Sequence, residues 1–453
     1  MITTINPALE EVIQQYALHT PTEVNARLDG LHHGWKKWKA LSFEERGKYL
    51  IALGKKILER KEEYARLISL EMGKPIRLAR AEIEKSAWIC EYFAENAEKY
   101  LRAETIQTSL KKSVIHYQPM GIILGIMPWN YPFWQVFRSM TTSMMAGNVF
   151  LLKHAPISTG VSLAIEALWA EIAPMTVFRS VILDDAAVST LIGHNQIAGV
   201  SLTGSVRAGK AVAKFAAQAM KKYVLELGGS DPYVILSDAD VSMAAKACVQ
   251  SRLSNSGQVC IAPKRLIAVD SVYEAFREQV LEAVEAYSCG DPLKEETMLG
   301  PMARADLRES VKRQVQESVA QGAKLLYGGQ IPEGKGFYYP ATVMEGVKPG
   351  ITAFEEEVFG PVVILIRARD EEDAILLANT SSYGLGAGVF TQDIKRGEYL
   401  ATQCIEAGAC YVNAVVSSDP RLPFGGIKMS GLGYELGAAG LHEFTHIKTI
   451  GIV

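Results

Sequence analysis

No uninterrupted apolar run in the 453 residues reaches the ~18 that a membrane-spanning helix needs. Charge of one sign is equally scarce: Lys plus Arg number 47 against 50 for Asp plus Glu, a net charge of -3 with no long basic run. That balance argues against nucleic acid as a principal partner. The start, MITTINPALEEVIQQY, has neither the build of a secretory signal nor the Arg-rich texture of a transit peptide. Cysteines are few and scattered (Cys90, Cys248, Cys260, Cys289, Cys404, Cys410), with no C-x-x-C pair and no zinc spacing. Such usage fits a reducing cytoplasm. Internal repeats and low-complexity tracts are missing too. What is present is an ordinary globular balance, 48% hydrophobic and 21% charged. At roughly 100–200 residues per domain the length predicts two or three domains. The expectation is a cytoplasmic multidomain enzyme with no membrane partner.

Periodicity divides the chain into two textures. The first hundred residues read as helix: Ser42 with Glu45 gives a capping-box signature, and apolar positions recur from Leu50 to Ile68 before Gly73-Lys74-Pro75. A second amphipathic stretch runs from about Arg77 to Tyr100. Beyond it, short apolar runs at 121–127, 149–152, 223–227, 233–236 and 362–366 read as buried strands, with helical patterns between most of them. This alternation predicts an α/β protein with parallel sheets covered on both faces, in two units that meet near residue 228. The closing HEFTHIKTIGIV alternates as an edge strand does, and a terminal strand of that kind suits pairing with a subunit neighbour.

Several windows carry chemistry. Asn255-Ser-Gly-Gln-Val-Cys260 makes a turn that would expose a thiol among backbone N–H groups, although a lone cytosolic cysteine is more often a buried structural one. Leu225-Glu226-Leu227-Gly228-Gly229 puts a carboxylate at a strand end, where open α/β sheets bind ligands and where poor hydration raises a carboxylate pKa towards general-base use. A solvated loop glutamate is the plainer reading. Met127-Pro-Trp-Asn130-Tyr-Pro132 holds an amide between two prolines, either as an oxyanion donor or as a rigid turn. Thr203-Gly204-Ser205 opens a helix after a strand, a weak phosphate-binding signal. Glu357-Val-Phe359-Gly-Pro361 and Pro423-Phe-Gly-Gly426 are rigid loops.

Together, and in this order, these windows resemble the aldehyde dehydrogenase superfamily along essentially the whole chain. Lys153, which follows the next strand after Asn130, belongs to the same set, and the step from Glu226 to Cys260 is also the family's. Within the family the Lys153-His-Ala-Pro156 and Val416-Ser-Ser-Asp-Pro-Arg421 windows are most similar to bacterial succinate-semialdehyde dehydrogenases.

The resemblance implies an aldehyde dehydrogenase-like fold: a dinucleotide-binding α/β domain (1–104 and 122–227), a catalytic α/β domain (228–427), and a bridging oligomerisation sheet (105–121 and 428–453). It implies a homodimer or homotetramer that oxidises an aldehyde with NAD or NADP and needs no metal. Cys260 would be the nucleophile, Asn130 an oxyanion donor and Glu226 the base that activates water. Lys153 and Glu357 would contact ribose hydroxyls, Gly204 and Ser205 the pyrophosphate; Phe359, Trp129 and Leu227 would line the nicotinamide channel. Pro156 stands where many NAD-preferring relatives carry a glutamate, so both cofactors are expected to work.

Helical spacing after Pro132 puts Trp134 and Arg138 on one face. The same resemblance makes Arg138 the anchor of a far substrate carboxylate, helped by Gln135, Ser418 or Arg421. A second arginine of some relatives is Ser254 here. The competing expectations are a dehydrogenase for another aliphatic or aromatic aldehyde, a catalytically silent family member, and a cysteine hydrolase. Intact Cys260, Glu226 and Asn130 weigh against silence, and no histidine stands in a triad context that a hydrolase would need.

Overall fold

The computed structural model describes residues 1 to 453. The chain opens as an antiparallel hairpin, Ile2–Asn6 against Glu11–Tyr16, which corrects the expectation of helix through the first hundred residues. The β-branched run Ile2-Thr-Thr-Ile5 favours extended backbone, and the Asn6 side chain accepts from the Ala8 N–H at 2.9 Å to fix the turn at Pro7. Four helices follow, Pro21–Trp38, Phe43–Glu59, Lys61–Met72 and Ile76–Leu101. The Ser42 box forms as read, with Glu45 N–H to Ser42 Oγ at 3.2 Å and Ser42 N–H to Glu45 Oε2 at 2.7 Å.

The first large sheet has six strands. Their spatial order is Gly431–Leu432, Lys222–Glu226, Ile197–Thr203, Ile122–Met127, Val149–His154 and Phe178–Ser180. All neighbours are parallel except the first pair. Building starts at Ile122–Met127, runs outward to Phe178–Ser180, then reverses to Ile197–Thr203 on the other side. This reversal makes the carboxyl ends of Ile122–Met127 and Ile197–Thr203 the switch point where such sheets open a ligand crevice.

Between Glu226 and Asp231 the chain crosses into a seven-stranded sheet. Its order is Lys324–Tyr327, Thr342–Glu345, Val362–Ala368, Pro263–Val269, Asp231–Ile235, Gly386–Phe390 and Ala409–Val412, parallel except for the first pair. Alternate residues feed two separate cores: Val234, Ile267 and Ile364 face one, Tyr233, Leu266 and Leu365 the other. Burial on both faces is why these strands read as unbroken apolar runs.

A third, antiparallel sheet pairs Thr445–Ile452 with Lys112–Pro119, and that strand with Glu104–Ile106. Of the segment 428–453, only Thr445–Ile452 joins this sheet. Gly431–Leu432 belongs to the six-stranded sheet, and the helix Gly437–Glu443 packs on the helices Ile76–Leu101 and Trp134–Met145.

Candidate active site

Asn130 sits on the loop leaving the strand Ile122–Met127, and that loop is held from outside the sheet. Glu82 of the helix Ile76–Leu101 accepts, through Oε1, the N–H groups of Phe133 at 2.8 Å and Trp134 at 3.0 Å. A carboxylate thus caps the helix Trp134–Met145 by taking the two amides at its start that have no backbone acceptor. Lys74 neutralises Glu82 in a fully buried ion pair and lies 3.6 Å from the centre of the Tyr131 ring. Asn130 is 4% exposed; its Nδ2 donates one hydrogen to the Gln258 carbonyl at 3.0 Å, leaving the second free.

Cys260 is presented by a turn with strained backbone. Asn255 and Ser256 take left-handed φ of 50° and 54°, and Gly257 follows at 71°. A Cβ at Gly257 would meet the Gly360 carbonyl oxygen at 2.1 Å, so only glycine fits. The turn is tied down by buried Arg252, which donates to the carbonyls of Gly257 (3.1 Å), Val358 (2.7 Å) and Val362 (2.6 Å). Asn255 Nδ2 reaches the Asn130 carbonyl at 2.9 Å, so the two loops are fixed to each other. The Cys260 N–H donates to no protein acceptor. Burial, then the charge of Glu226, pushes the Cys260 thiol pKa well up, while Arg138 and Lys264 act in the opposite direction.

Glu226, at the end of its strand, is 1% exposed. Arg138 Nη2 donates to its Oε2 at 3.0 Å, and Oε1 is left without a partner beside the Cys260 thiol. Burial raises the Glu226 pKa to about 7; Arg138 lowers it and Glu435 raises it. Arg138 also pairs through Nε with buried Glu435, reaches Thr203 Oγ1 at 3.4 Å, and lies over the Phe424 ring.

One cavity of about 510 Å³ is lined by Cys260, Tyr131, Trp134, Gln135, Arg138, Ser254 and Ser418 among others. Trp134 and Arg138 share the face that helical spacing predicts. The structure gives Arg138 a different setting from the expected free anchor: two of its three nitrogens are already engaged with protein groups. Arg421 does not line the cavity. It is bound to Asp419 at 2.6 and 2.8 Å and stacks over Trp88.

The cofactor candidates flank the crevice at the switch point. Ser205 caps the helix Val206–Gln218, and the Val206 and Arg207 N–H groups have no protein acceptor, which suits a phosphate. Gly204 donates to the Glu226 carbonyl at 2.9 Å and joins the two strand ends. Lys153 is 4% exposed and pairs with Asp185 at 2.7 Å, so a carboxylate from a later segment stands beside it although Pro156 supplies none. Trp129 and Phe359 meet edge to face at 5.9 Å. Glu357 accepts from the Gly229 N–H at 3.1 Å and pairs with Lys264 at 3.2 Å, and Leu227 is buried against Gly209 of the helix Val206–Gln218. The unpartnered amides at the start of the helix Val206–Gln218 and the buried Lys153 ammonium fit the phosphate and hydroxyl groups of a dinucleotide. His154 is buried against the Pro132 carbonyl, with its pKa lowered by burial to about 4, so it is no base.

Glu82, Lys85, Lys264 and Glu435 carry no motif in the sequence. Each is a charged residue inside a helix, strand or loop that only the fold brings to the cavity or its supports.

Two parallel sheets thus bring a thiol, a carboxylate and unused hydrogen-bond donors together beside a crevice at a strand switch point, the layout of an α/β enzyme. Comparison with known proteins names the family. The aldehyde dehydrogenase family model matches residues 1–450. The succinate semialdehyde dehydrogenase (NAD(P)+) Sad of Escherichia coli strain K12 is 44% identical, over 99% of this chain and 97% of that one. A probable succinate-semialdehyde dehydrogenase (NADP(+)) of Synechocystis is 42% identical, over 100% and 99% respectively. The crystal structure of succinic semialdehyde dehydrogenase from Streptococcus pyogenes, in complex with NADP+, superimposes with a TM-score of 0.97 at 33% identity, covering 100% of both chains. The chain belongs to the aldehyde dehydrogenase family.

Proposed function

We propose that this enzyme oxidises succinate semialdehyde to succinate with NAD+ or NADP+. The observation that carries the chemistry is a cavity-lining Cys260 thiol with the unpartnered Glu226 Oε1 beside it, on a turn hydrogen-bonded to Asn130, whose amide has one hydrogen unused. The relatives named for this substrate support the choice of aldehyde.

Cys260 loses its proton to solvent and attacks the aldehyde carbon as a thiolate, the charges of Arg138 and Lys264 favouring the ionised form. The oxygen that becomes negative is held by the second Asn130 amide hydrogen and the Cys260 N–H. Bound NAD(P)+ supplies a hydride acceptor. The Cys260 thioester left behind is hydrolysed by water that gives its proton to Glu226. A carboxylate with a pKa near 7 is well matched to that transfer at neutral pH. Arg138 fixes Glu226 through Oε2 and so leaves Oε1 for the proton. Lys153 and Glu357 would hold the riboses, Gly204 and Ser205 the pyrophosphate, and Trp129, Leu227 and Phe359 the nicotinamide. Both dinucleotides are accepted in this reading, because Pro156 puts no carboxylate in the Lys153 window and the Asp185 carboxylate beside Lys153 is itself neutralised by that lysine. The first two units of the expected domain division, 1–104 with 122–227 and 228–427, bind dinucleotide and substrate. The protein works as a homodimer or homotetramer in the cytoplasm.

Rapid mixing tests this order of steps. Cys260→Ala is expected to abolish reduced-cofactor formation. Glu226→Gln should give a burst of about one equivalent per site and then turn over at least ~100-fold more slowly than wild type. Steady turnover near wild type in Glu226→Gln would remove the base assignment. A wild type that oxidised butanal as well as succinate semialdehyde would remove the substrate assignment.

A further inference from the structure

The cavity holds a second cation, Lys85, on the helix Ile76–Leu101. Its Nζ lies 4.3 Å from the centre of the Trp134 ring and donates to Ser418 Oγ at 3.1 Å. Trp134 Nε1 donates to the same oxygen at 3.0 Å. With both lone pairs of Ser418 Oγ occupied, its own O–H is left to donate elsewhere. Gln135, 2% exposed on the neighbouring turn, makes no side-chain hydrogen bond to the protein, and its Oε1 is buried without a partner. Three polar groups of one cavity wall therefore have unused hydrogen-bonding capacity.

The charges around Lys85 are already committed. Asp419 is held by Arg421 at 2.6 and 2.8 Å, and Glu82 by Lys74 and the Phe133 and Trp134 amides. No carboxylate stands within ion-pair distance of Lys85, while Arg138 is near enough to repel it. Burial first, then Arg138, lowers the Lys85 pKa to about 8, with Asp419 and Glu82 acting the other way. A mostly buried ammonium without a counter-ion is costly in the free protein, and an anionic ligand would relieve that cost. Arg138 is less suited to the same task, because Glu226, Glu435 and Thr203 engage two of its three nitrogens.

We infer that Lys85, together with the Ser418 hydroxyl and the Gln135 amide, forms the seat for the far carboxylate of the substrate, while Arg138 chiefly holds the catalytic Glu226. This assignment rests on the proposed oxidation of a carboxylate-bearing aldehyde. In it, the ammonium lies against the indole face of Trp134 and donates one hydrogen to Ser418 and another to the substrate. An aldehyde of similar length without the carboxylate would leave Lys85 as unpaired as in the free protein, so the group that attracts one substrate gives nothing to the other.

The test compares succinate semialdehyde with butanal in wild type, Lys85→Met and Lys85→Arg. Lys85→Met is expected to lower kcat/KM for succinate semialdehyde roughly 30–300-fold, mainly through KM, and to change butanal by less than about threefold. Lys85→Arg should recover most of the loss, because it restores a cation. Succinate, the dicarboxylate product, reads the same contact without turnover: its inhibition constant against substrate should rise in Lys85→Met by a similar factor. Should Lys85→Met fail to fold, Lys85→Gln replaces it in the same comparisons. A wild type with no preference for the carboxylate-bearing aldehyde overturns both the proposed substrate and this seat. A wild-type preference that survives intact in Lys85→Met, or an equal fall for both aldehydes, overturns the seat alone.

Discussion

At the scale of single residues, Arg138 shows how burial changes the meaning of a motif. Its position after Asn130 suggests a substrate anchor, yet its guanidinium lies between Glu226 and Glu435, each of the three side chains no more than 4% exposed. Replacing it with leucine leaves two buried carboxylates without their cation. Loss of one partner from such a pair costs about 3–5 kcal/mol of stability. The same charge lowers the Glu226 pKa, so its removal should raise that pKa further above about 7. The expected result for Arg138→Leu is a lower melting temperature, a fall in kcat/KM for butanal as well as succinate semialdehyde, and a kcat profile whose acid limb moves to higher pH. The sign follows from proton uptake. A folded pKa near 7 against an ordinary 4.5 means that the folded state holds the extra proton between those values, so Glu226 contributes less to stability as pH rises through that window. An unchanged limb with only succinate semialdehyde impaired would return Arg138 to the role of sole anchor. Cys260, Glu226 and Asn130 were legible because each stands in a short motif, Glu226 and Asn130 at or just past a strand end and Cys260 on a tight glycine turn, where local sequence decides local geometry. Lys85 and Glu82 were not, since helical periodicity tells which face of a helix is buried and nothing about what that face meets.

At the scale of elements, the helix Trp134–Met145 depends on a cap supplied from a different helix. Its N-terminal residue Phe133 offers no side-chain cap, and Glu82 Oε1 takes the two amides instead. The cap stands three residues beyond Asn130, so its loss should be felt by the oxyanion donor. Glu82→Gln keeps a carbonyl acceptor but leaves Lys74 charged and buried. The expected outcome is a loss of about 3–5 kcal/mol in denaturant unfolding, with kcat reduced more than KM for butanal and succinate semialdehyde alike. Pairing the change with Lys74→Met, which removes the stranded cation, should recover much of the stability while leaving the kcat defect. If both variants kept wild-type kcat, the cap would matter only for folding. This long-range cap escaped the sequence, whereas the Ser42 box was visible because its partners lie three residues apart. The N-terminal hairpin escaped for a different reason: it is short, and the strong helical periodicity of the segments after it set the reading for the whole region.

At the scale of the molecule, the residues that build the cavity come from the helix Ile76–Leu101 and from helices and loops attached to both large sheets of one chain. Nothing in that geometry requires a second copy for chemistry, yet the third sheet has the features of an assembly edge. Thr445–Ile452 is paired on one side only, by Lys112–Pro119, and leaves Ile447 68% and Ile452 46% exposed. A long edge strand with exposed apolar side chains is a template for further pairing. Its alternation was plain in the sequence, since one neighbour and solvent leave period two intact. Ile447 and Ile452 lie on opposite faces of the strand, so charging both disturbs packing whichever face a neighbour covers. Ile447→Glu with Ile452→Glu is therefore expected to reduce the mass measured by light scattering from that of a dimer or tetramer towards a smaller species. Activity per chain should fall by no more than about tenfold, because the thiol, the base and the oxyanion donors remain on a single chain. A mass equal to wild type would place the subunit contact elsewhere, and a monomeric wild type would remove the assembly itself.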